Sequence, residues 1–280
     1  MDTIIGLLSN DYFLQIITII CINIIIVLGL NLITGVTGML SLGHSAFMSI
    51  GAYASAILMM KAGFPFALSV IFATGISALA GALLGLPILR LRGDYLAIAT
   101  LGFCEIVRVI FLNLPIAGRA LGIHSIPYVT SAPVAFILAV LGVIFMRNLE
   151  RSKFGLALRS IREDEIAAEM MGINIARYKV MAFTIGSAFA GLGGALYAHQ
   201  ITFISPNDFG FMKSIELLCM LVLGGMGSLV GVVAGTVTLT AIPEILRFAS
   251  EYRMVTYGTV LIFMMVFRPQ GLFGKIRVNV

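Results

Sequence analysis

Long apolar stretches separated by short polar junctions make up most of this chain. Apolar residues dominate 14–33, 66–89, 94–114 and 180–199, and shorter apolar stretches occupy 133–146 and 254–267. An α-helix needs about 20 apolar residues to cross a hydrocarbon core of about 30 Å. The pattern therefore predicts an all-α fold, a polytopic integral membrane helical bundle with about eight crossings.

Two further apolar stretches, 35–58 and 213–245, are interrupted by clustered glycines. The glycines are Gly35, Gly38, Gly43 and Gly51 in the first stretch and Gly224, Gly225 and Gly227 in the second. Glycine weakens a helix, and non-helical backbone at membrane depth is tolerated only where protein or a water-filled cavity covers it. We therefore predict two Gly-broken or re-entrant helices beside a transport pathway.

One strongly polar segment, 147–179, stands between the apolar stretches. It carries seven Lys/Arg and five Asp/Glu residues, in a chain of which only 11% is charged. Charge this concentrated lies in water, and basic residues beside membrane helices mark the cytoplasmic side. The prediction is a single transmembrane domain, 1–280, with a cytoplasmic loop at 147–179.

A short amphipathic helix is predicted within this loop, at 161–171. Ser160 and Glu163 match the S-x-x-E capping box, and Gly172 stands where a left-handed residue ends a helix. Its apolar stripe contains Ile166, Ala167, Met170 and Met171. A helix of about eleven residues is marginal alone in water. Either the chain's own membrane helices or the groove of a soluble partner must cover the stripe.

Composition excludes several classes of function. A hydrophobic content of 60% exceeds that of a soluble domain. The net charge of +5 comes from basic residues at the ends of apolar stretches, so nucleic acid is not an expected partner. The chain contains neither GxxxxGK[ST] for phosphate, nor HExxH, nor GxSxG. We expect no enzyme, no metal site and no cofactor in this chain.

Polar residues within the apolar stretches are candidates for the pathway or its gate. They are Asn31, Ser41, His44, Ser45, Ser49, Glu105 and Arg108. Small polar side chains also join membrane helices by hydrogen bonds, and a lone histidine can do the same. Glu105 and Arg108 share a helix face, where they form either a structural ion pair or charges beside the route.

Several segments resemble the permease subunits of the branched-chain amino-acid (leucine/isoleucine/valine) ABC importers. They are GLNLITGVTGMLSLGHSAFMSIGAYASA, LRGDYLAIATLGFCEIVRVI, RSKFGLALRSIREDEIAAEMMGINIARYK, LVLGGMGSLVGVVAG and the terminal FRPQGLFG. The resemblance extends over nearly the whole chain. The ending and the RGDYLAIATLGF segment are similar to the longer, M-type subunit of the two permease types.

The resemblance implies an ATP-driven importer subunit in the bacterial cytoplasmic (inner) membrane, with a fold similar to the vitamin B12-importer class. Implied partners are a related sister permease, two cytoplasmic ATPase subunits that use ATP and Mg, and an extracytoplasmic substrate-binding protein. The residues implied to couple to the ATPase are Ser160, Glu163, Glu165, Ile166, Ala167, Ala168, Met170, Met171 and Gly172. The alternatives are a permease for urea or short-chain amides in the same family, or a stand-alone secondary transporter.

Overall fold

The structure, a computed structural model, describes residues 11–88, 93–245 and 258. Over these ranges the chain forms ten α-helices, which confirms the all-α fold. They are α1 (Asp11–Leu30), α2 (His44–Ala62), α3 (Phe66–Ile88), α4 (Asp94–Asn113), α5 (Ala132–Arg151), α6 (Lys153–Glu163), α7 (Glu165–Met170), α8 (Ile175–Ile201), α9 (Phe211–Gly224) and α10 (Leu229–Ile245).

Six helices in the described part are long and apolar enough to cross a membrane. They are Tyr12–Val36, His44–Ala62, Phe66–Pro87, Asp94–Asn113, Ala132–Arg151 and Ile175–Ile201. Helices α9 and α10 are shorter than these six. The predicted span 254–267 lies outside the described residues, apart from Gly258. The described part therefore contains six candidate spans of a multi-span bundle, and the number of about eight crossings stays a prediction.

Helix α8 lies at the centre of the bundle and packs against α1, α2 and α3. Small residues make this packing close, because a Cβ atom added at Gly194 would overlap the backbone of Met48, and one at Gly51 would overlap the backbone of Gly191. Lipid tails are as apolar as leucine, so close van der Waals contact between backbones drives helix association in a membrane. The α2–α8 crossing is thus fixed by residues that lack a side chain.

The first predicted interruption is only partly found, because helix α2 is unbroken and the irregular backbone lies before it, at 31–43, between two candidate spans. We call 31–43 the first interruption. Helix α1 continues into a π-helical turn, Asn31–Val36, and regular helix resumes only at His44. Side chains of neighbouring helices satisfy part of the intervening backbone. For example, Leu42 N–H donates a hydrogen bond to the Thr100 hydroxyl at 3.0 Å. Gly51, which was predicted to belong to the interruption, lies inside α2 instead, because its role is close packing against α8.

The second interruption is confirmed and lies between α9 and α10. Helix α9 ends at Gly224, and Gly225 and Gly227 adopt positive φ angles of 103° and 83°. Residues with a Cβ atom rarely adopt such backbone angles, which explains why glycine occupies both positions. The chain then turns back into α10, and the backbones of Gly224 and Gly231 approach closely across the turn.

Candidate functional site

The polar segment 147–179 folds into the end of α5, the helices α6 and α7, and the start of α8. The single helix predicted at 161–171 is wrong, because Asp164 divides it with an extended backbone (φ −156°, ψ 114°). Helix α6 begins much earlier, at Lys153, where the Ser152 hydroxyl accepts a hydrogen bond from Gly155 N–H at 3.4 Å. The segment therefore presents a six-residue helix, α7, on a longer supporting helix.

The predicted capping box at Ser160 and Glu163 is wrong. Ser160 lies inside α6 and donates its hydroxyl to the Leu156 carbonyl at 3.1 Å, while Glu163 is the last residue of that helix. The cap of α7 is Asp164, whose Oδ1 accepts from Ile166 N–H at 2.8 Å and Ala167 N–H at 3.0 Å. Asp caps a helix as well as Ser does, and Ser160 is already held within α6.

We expect Asp164→Ala to loosen α7 and Ser160→Ala to leave it nearly unchanged. Loss of an N-cap costs about 1 kcal/mol, which corresponds to roughly a fivefold faster hydrogen exchange at the amides that lose their acceptor. Hydrogen exchange at Ile166 and Ala167 measures this directly. A larger acceleration in Ser160→Ala than in Asp164→Ala would contradict the assignment of the cap.

The end of α7 matches the prediction. Gly172 adopts a φ of 82°, and its N–H bonds the Glu169 carbonyl at 2.9 Å. The next amide, that of Ile173, bonds the Ala168 carbonyl at 3.1 Å. Asn174 then caps α8 by accepting a hydrogen bond from Arg177 N–H at 3.0 Å. Helix α7 is thereby delimited at both ends by specific backbone hydrogen bonds.

One face of α7 is buried and the opposite face is exposed. Ala168 is only 3% exposed, whereas Ile166, Met170 and Met171 are 64%, 85% and 83% exposed. Ala167 is exposed beside them. Within the described part of the chain, the protein's own helices therefore cover Ala168 and leave the large apolar side chains uncovered. We call the exposed set Ile166, Ala167, Met170 and Met171 the coupling surface.

An ion pair holds α7 against the membrane bundle. Glu165, the first residue of α7, pairs through Oε1 with Nζ of Lys179 in α8. The Lys179 side chain is buried, while 30% of the Glu165 side chain is exposed. A buried lysine needs such a partner, because an uncompensated charge out of water is costly. The coupling surface is thus fixed to α8 by a charge pair as well as by Ala168.

The pathway candidates on α2 are buried and mostly bonded within the protein. His44 lies against α1, with Nε2 donating to the Ile26 carbonyl at 3.0 Å. Ser45 shares a hydrogen bond with Ser214 of α9 at 2.7 Å. Ser49 bonds the Ala46 carbonyl of its own helix at 2.8 Å. The His44 and Ser45 contacts match the helix-joining alternative, which the sequence had left open, whereas the Ser49 bond lies within its own helix.

Buried polar atoms without a partner among the described residues also occur near the first interruption. They include the hydroxyl groups of Ser41 and Thr34 and the second ring nitrogen of His44. Because His44 Nε2 faces a carbonyl and must donate, Nδ1 is left as an acceptor. Ser41 and His44 therefore retain hydrogen-bonding capacity at the unwound segment.

Glu105 and Arg108 form the predicted ion pair, with Arg108 Nε 2.7 Å from Glu105 Oε2. Arg108 also donates through a terminal nitrogen to Asn207 Oδ1 at 3.0 Å. Asn207 belongs to the short 3₁₀ helix Pro206–Phe209, between α8 and α9. Both charged side chains are about one-third exposed. The pair thus joins α4 to a connecting loop.

Asn31 lies in a polar cluster that the sequence did not indicate. Its Nδ2 is 3.5 Å from Glu150 Oε1 in α5, and its Oδ1 accepts from Gly227 N–H at 2.9 Å. Glu150 Oε2 in turn accepts from Arg159 of α6 at 3.2 Å. These partners are far apart along the chain, so no local motif could have revealed Glu150 or Arg159.

Among the described residues, no group of three or more His, Cys, Asp and Glu side chains could hold a metal ion. The short helix α7, with its exposed apolar side chains, is held on the bundle by the Glu165–Lys179 pair. Polar contacts lead from α6 through Glu150 and Asn31 to both interruptions.

Comparison with known proteins places the chain in a family. The family described as "Branched-chain amino acid transport system / permease component" matches residues 12–267. The chain is 40% identical to the high-affinity branched-chain amino acid transport system permease protein LivM of Salmonella typhimurium, over 93% of this chain and 69% of that protein. It is 34% identical to the permease protein LivH of the same kind of system in Escherichia coli, over 51% of this chain and 46% of that protein.

Another relative has a different named cargo. The chain is 32% identical to the autoinducer 2 import system permease protein LsrC of an Enterobacter species, over 82% of this chain and 70% of that protein. No solved structure matched the chain. The extent of the family match and the identity to LivM over most of both proteins decide the assignment. The chain belongs to the family of branched-chain amino acid transport system permease components.

Proposed function

We propose that this chain is the M-type permease subunit of an ATP-driven ABC importer and carries branched-chain amino acids across the cytoplasmic membrane. As a member of its family, the chain is a multi-pass membrane permease and a transport component rather than an enzyme. The observation that carries the proposal further is the coupling surface. A transporter driven by an ion gradient has no need of an apolar helix braced at the membrane and left uncovered.

The coupling surface is proposed to dock in a groove of a cytoplasmic ATPase subunit. Two large apolar side chains, Ile166 and Met170, project from a helix of only six residues, and a third, Met171, follows its last residue. Short amphipathic helices bind partner grooves through such anchors, and methionine adapts its shape to the pocket. In this proposal Ser160 and Glu163 support the docking helix through α6, Glu165 and Ala168 brace it, and Gly172 ends it.

The proposed partners are a related sister permease, two ATPase subunits and an extracytoplasmic binding protein. The chain is similar to both LivM and LivH, which are two permease proteins named for the same kind of transport system. That double similarity supports pairing with a related subunit. ATP and Mg are then used by the ATPase subunits, and this chain binds no cofactor of its own.

We further propose one permease domain, 1–280, with about eight crossings and a coupling loop at 147–179. Six candidate spans, the interrupted pair α9 and α10, and the apolar stretch 254–267 support that number. The proposed fold is similar to that of vitamin B12-importer permeases. Access to the substrate would alternate as ATP binding draws the coupling loops of the two permeases together.

The proposed pathway runs beside the two interrupted helices. Ser41 and His44 contribute free hydrogen-bonding capacity at the first interruption, and Asn31 faces the second through Gly227. Ser45 and Ser49 support α2 from within, and Glu105 with Arg108 positions the loop at Asn207. Unwound backbone of this kind supplies polar groups to substrates in many transporters.

Uptake by cells tests the substrate class. Deleting the gene for this chain should abolish high-affinity uptake of radiolabelled leucine, and isoleucine and valine should compete for that uptake in the parent strain. Urea and acetamide should not compete with leucine, and deletion of the gene should not reduce the uptake of either amide. If deletion abolishes uptake of urea or acetamide and leaves leucine unaffected, the chain is an amide permease and the proposed substrate is wrong.

A further inference from the structure

A buried polar cluster connects the coupling loop to both helix interruptions. Glu150, in the last turn of α5, is 6% exposed and uses both carboxylate oxygens. Arg159 of α6 donates to Oε2 at 3.2 Å, and Asn31 of the first interruption lies 3.5 Å from Oε1. One carboxylate therefore bridges the helix that supports α7 and the π-helical turn that follows α1.

Asn31 extends these contacts to the second interruption. Its Oδ1 accepts a hydrogen bond from Gly227 N–H at 2.9 Å, while its Nδ2 faces Glu150. A backbone N–H can only donate and a carboxylate can only accept. Only one orientation of the amide satisfies both neighbours, so the side chain is held from two sides. Asn31 is only 1% exposed, and water is kept away from this link.

A second contact runs in parallel from the same helix. Arg162 of α6 donates through a terminal nitrogen to the Gly35 carbonyl in the π-helical turn. Arg159 and Arg162 are three residues apart, so they project from one face of α6. A movement of α6 must therefore displace both guanidinium groups together.

The two interruptions also touch each other at this point. A Cβ atom on Gly35 would lie 2.6 Å from Gly227 N, and one on Gly227 would lie 2.9 Å from the Arg162 guanidinium and 3.1 Å from Gly35 O. Interrupted helices leave backbone groups that membrane lipid cannot satisfy. Here Arg162 satisfies the Gly35 carbonyl and Asn31 satisfies Gly227 N–H. One backbone group of each interruption is thus bonded by a side chain that leads to the coupling loop.

We propose that Glu150, Asn31 and Arg162 are positioning residues that transmit the displacement of the coupling loop to both interrupted helices. The inference rests on the proposed function, since the displacement comes from ATPase subunits docked on the coupling surface. Movement of α6 shifts both Arg159 and Arg162. Arg159 then moves Asn31 through Glu150, and Arg162 moves the Gly35 backbone directly. The two interruptions then change conformation together, so that ATP hydrolysis is converted into a change of access.

The number of substrate molecules transported per ATP hydrolysed tests this role in the assembled transporter. Glu150→Leu and Asn31→Leu replace the polar group by a branched apolar one and remove the polar link. Each should lower the ratio about tenfold, while co-purification with the ATPase subunits and ATP hydrolysis persist. Glu150→Gln keeps an acceptor for Asn31, so its ratio should fall only about threefold. A merely structural role would instead lower hydrolysis and uptake together.

Asn23→Leu is the matched control. Asn23 is a buried asparagine like Asn31, but it lies in α1 and its Nδ2 bonds Thr240 of α10 at 3.2 Å. The ratio should remain that of the wild type in this variant. Unchanged ratios in Glu150→Leu and Asn31→Leu would overturn the inference, as would an equal fall in Asn23→Leu. A wild-type complex without ATP-dependent uptake would instead refute the proposed function.

A second measurement needs no ATPase subunit. Met226 is exposed within the second interruption, and Met226→Cys places a reporter thiol there. In the isolated chain, combining Met226→Cys with Asn31→Leu or Glu150→Leu should raise the rate of thiol labelling several-fold. Asn31→Leu removes the anchor of Gly227, and Glu150→Leu removes the group that orients that anchor. The Asn23→Leu combination should label at the rate of Met226→Cys alone. Equal rates in all four proteins would overturn the link between the cluster and the second interruption.

Discussion

Replacing Met170 and Met171 by glutamate (Met170→Glu with Met171→Glu) is expected to abolish co-purification of the ATPase subunits and leave insertion of the chain into the membrane intact. Both side chains are more than four-fifths exposed, so the intramolecular packing does not depend on them. At a docked interface they would be buried, and a glutamate there would lie desolvated without a partner. Loss of central anchors costs about 2 to 4 kcal/mol each, or roughly 30-fold to 1,000-fold in affinity.

Met60→Glu is the matched control for this double variant. Met60 is an exposed methionine near the end of α2, beside Lys61, whose ammonium group bonds the Ile116 carbonyl outside the coupling loop. Its replacement should leave the ATPase bound. Ala168→Glu is less informative, because Ala168 is buried against the chain itself. Retention of the ATPase subunits by the Met170 and Met171 double variant would show that α7 is not the docking helix.

Gly51→Leu is expected to prevent stable folding. A Cβ atom at this position would overlap the backbone of Gly191, so α2 and α8 could not keep their crossing. Backbone atoms cannot move aside as a flexible side chain can. Overpacking of this kind costs about 3 kcal/mol or more. We expect a steep fall in the amount of detergent-soluble, monodisperse protein and in its thermal unfolding temperature.

Gly75→Leu separates crowding from the general cost of replacing glycine. Gly75 lies in α3, and a Cβ atom there would meet nothing within 4 Å. This variant should therefore be produced at the wild-type level, with its leucine facing the surroundings of the bundle. Equal losses in Gly51→Leu and Gly75→Leu would contradict the proposed α2–α8 packing.

The membrane helices are the part of the fold that the sequence predicts best. The stretch 66–89 became α3, Phe66–Ile88, and 94–114 became α4, Asp94–Asn113. Length and apolar composition decide such segments because the bilayer imposes a fixed thickness. The stretch 133–146 was predicted too short, since α5 continues to Arg151. Charged residues such as Arg147 end the apolar pattern, but the helix continues through them, because its backbone hydrogen bonds also form in water.

Local motifs predicted the ends of helices unevenly. Gly172 was identified correctly as the end of a helix, because it was the one suitable residue at its position. Ser160 and Asp164 are both suitable caps, and the choice between them depends on α6, which starts at Lys153. Spacing within four residues could not reveal where an earlier helix begins. The N-cap of α7 was therefore predicted at Ser160, inside α6, instead of at Asp164.

The polar cluster around Glu150 could not be predicted from the sequence at all. Glu150 and Asn31 are 119 residues apart, and Asn31 and Gly227 are 196 residues apart. Neither distance corresponds to a helical repeat or a motif. Such contacts depend on how α1, α5, α6 and the second interruption assemble. Sequence patterns thus predicted the interrupted helices and the polar loop at 147–179 separately, while only the structure shows the contacts between them.

Uptake into liposomes tests the central claim most directly, since it identifies the energy source. The chain would be reconstituted with its sister permease and ATPase subunits, with binding protein and radiolabelled leucine outside and ATP with Mg enclosed. We predict accumulation that requires ATP hydrolysis, is unaffected by collapsing proton and sodium gradients, and is lost with the Met170 and Met171 double variant. Accumulation of leucine by this chain alone, driven by an ion gradient without any ATPase, would contradict the account.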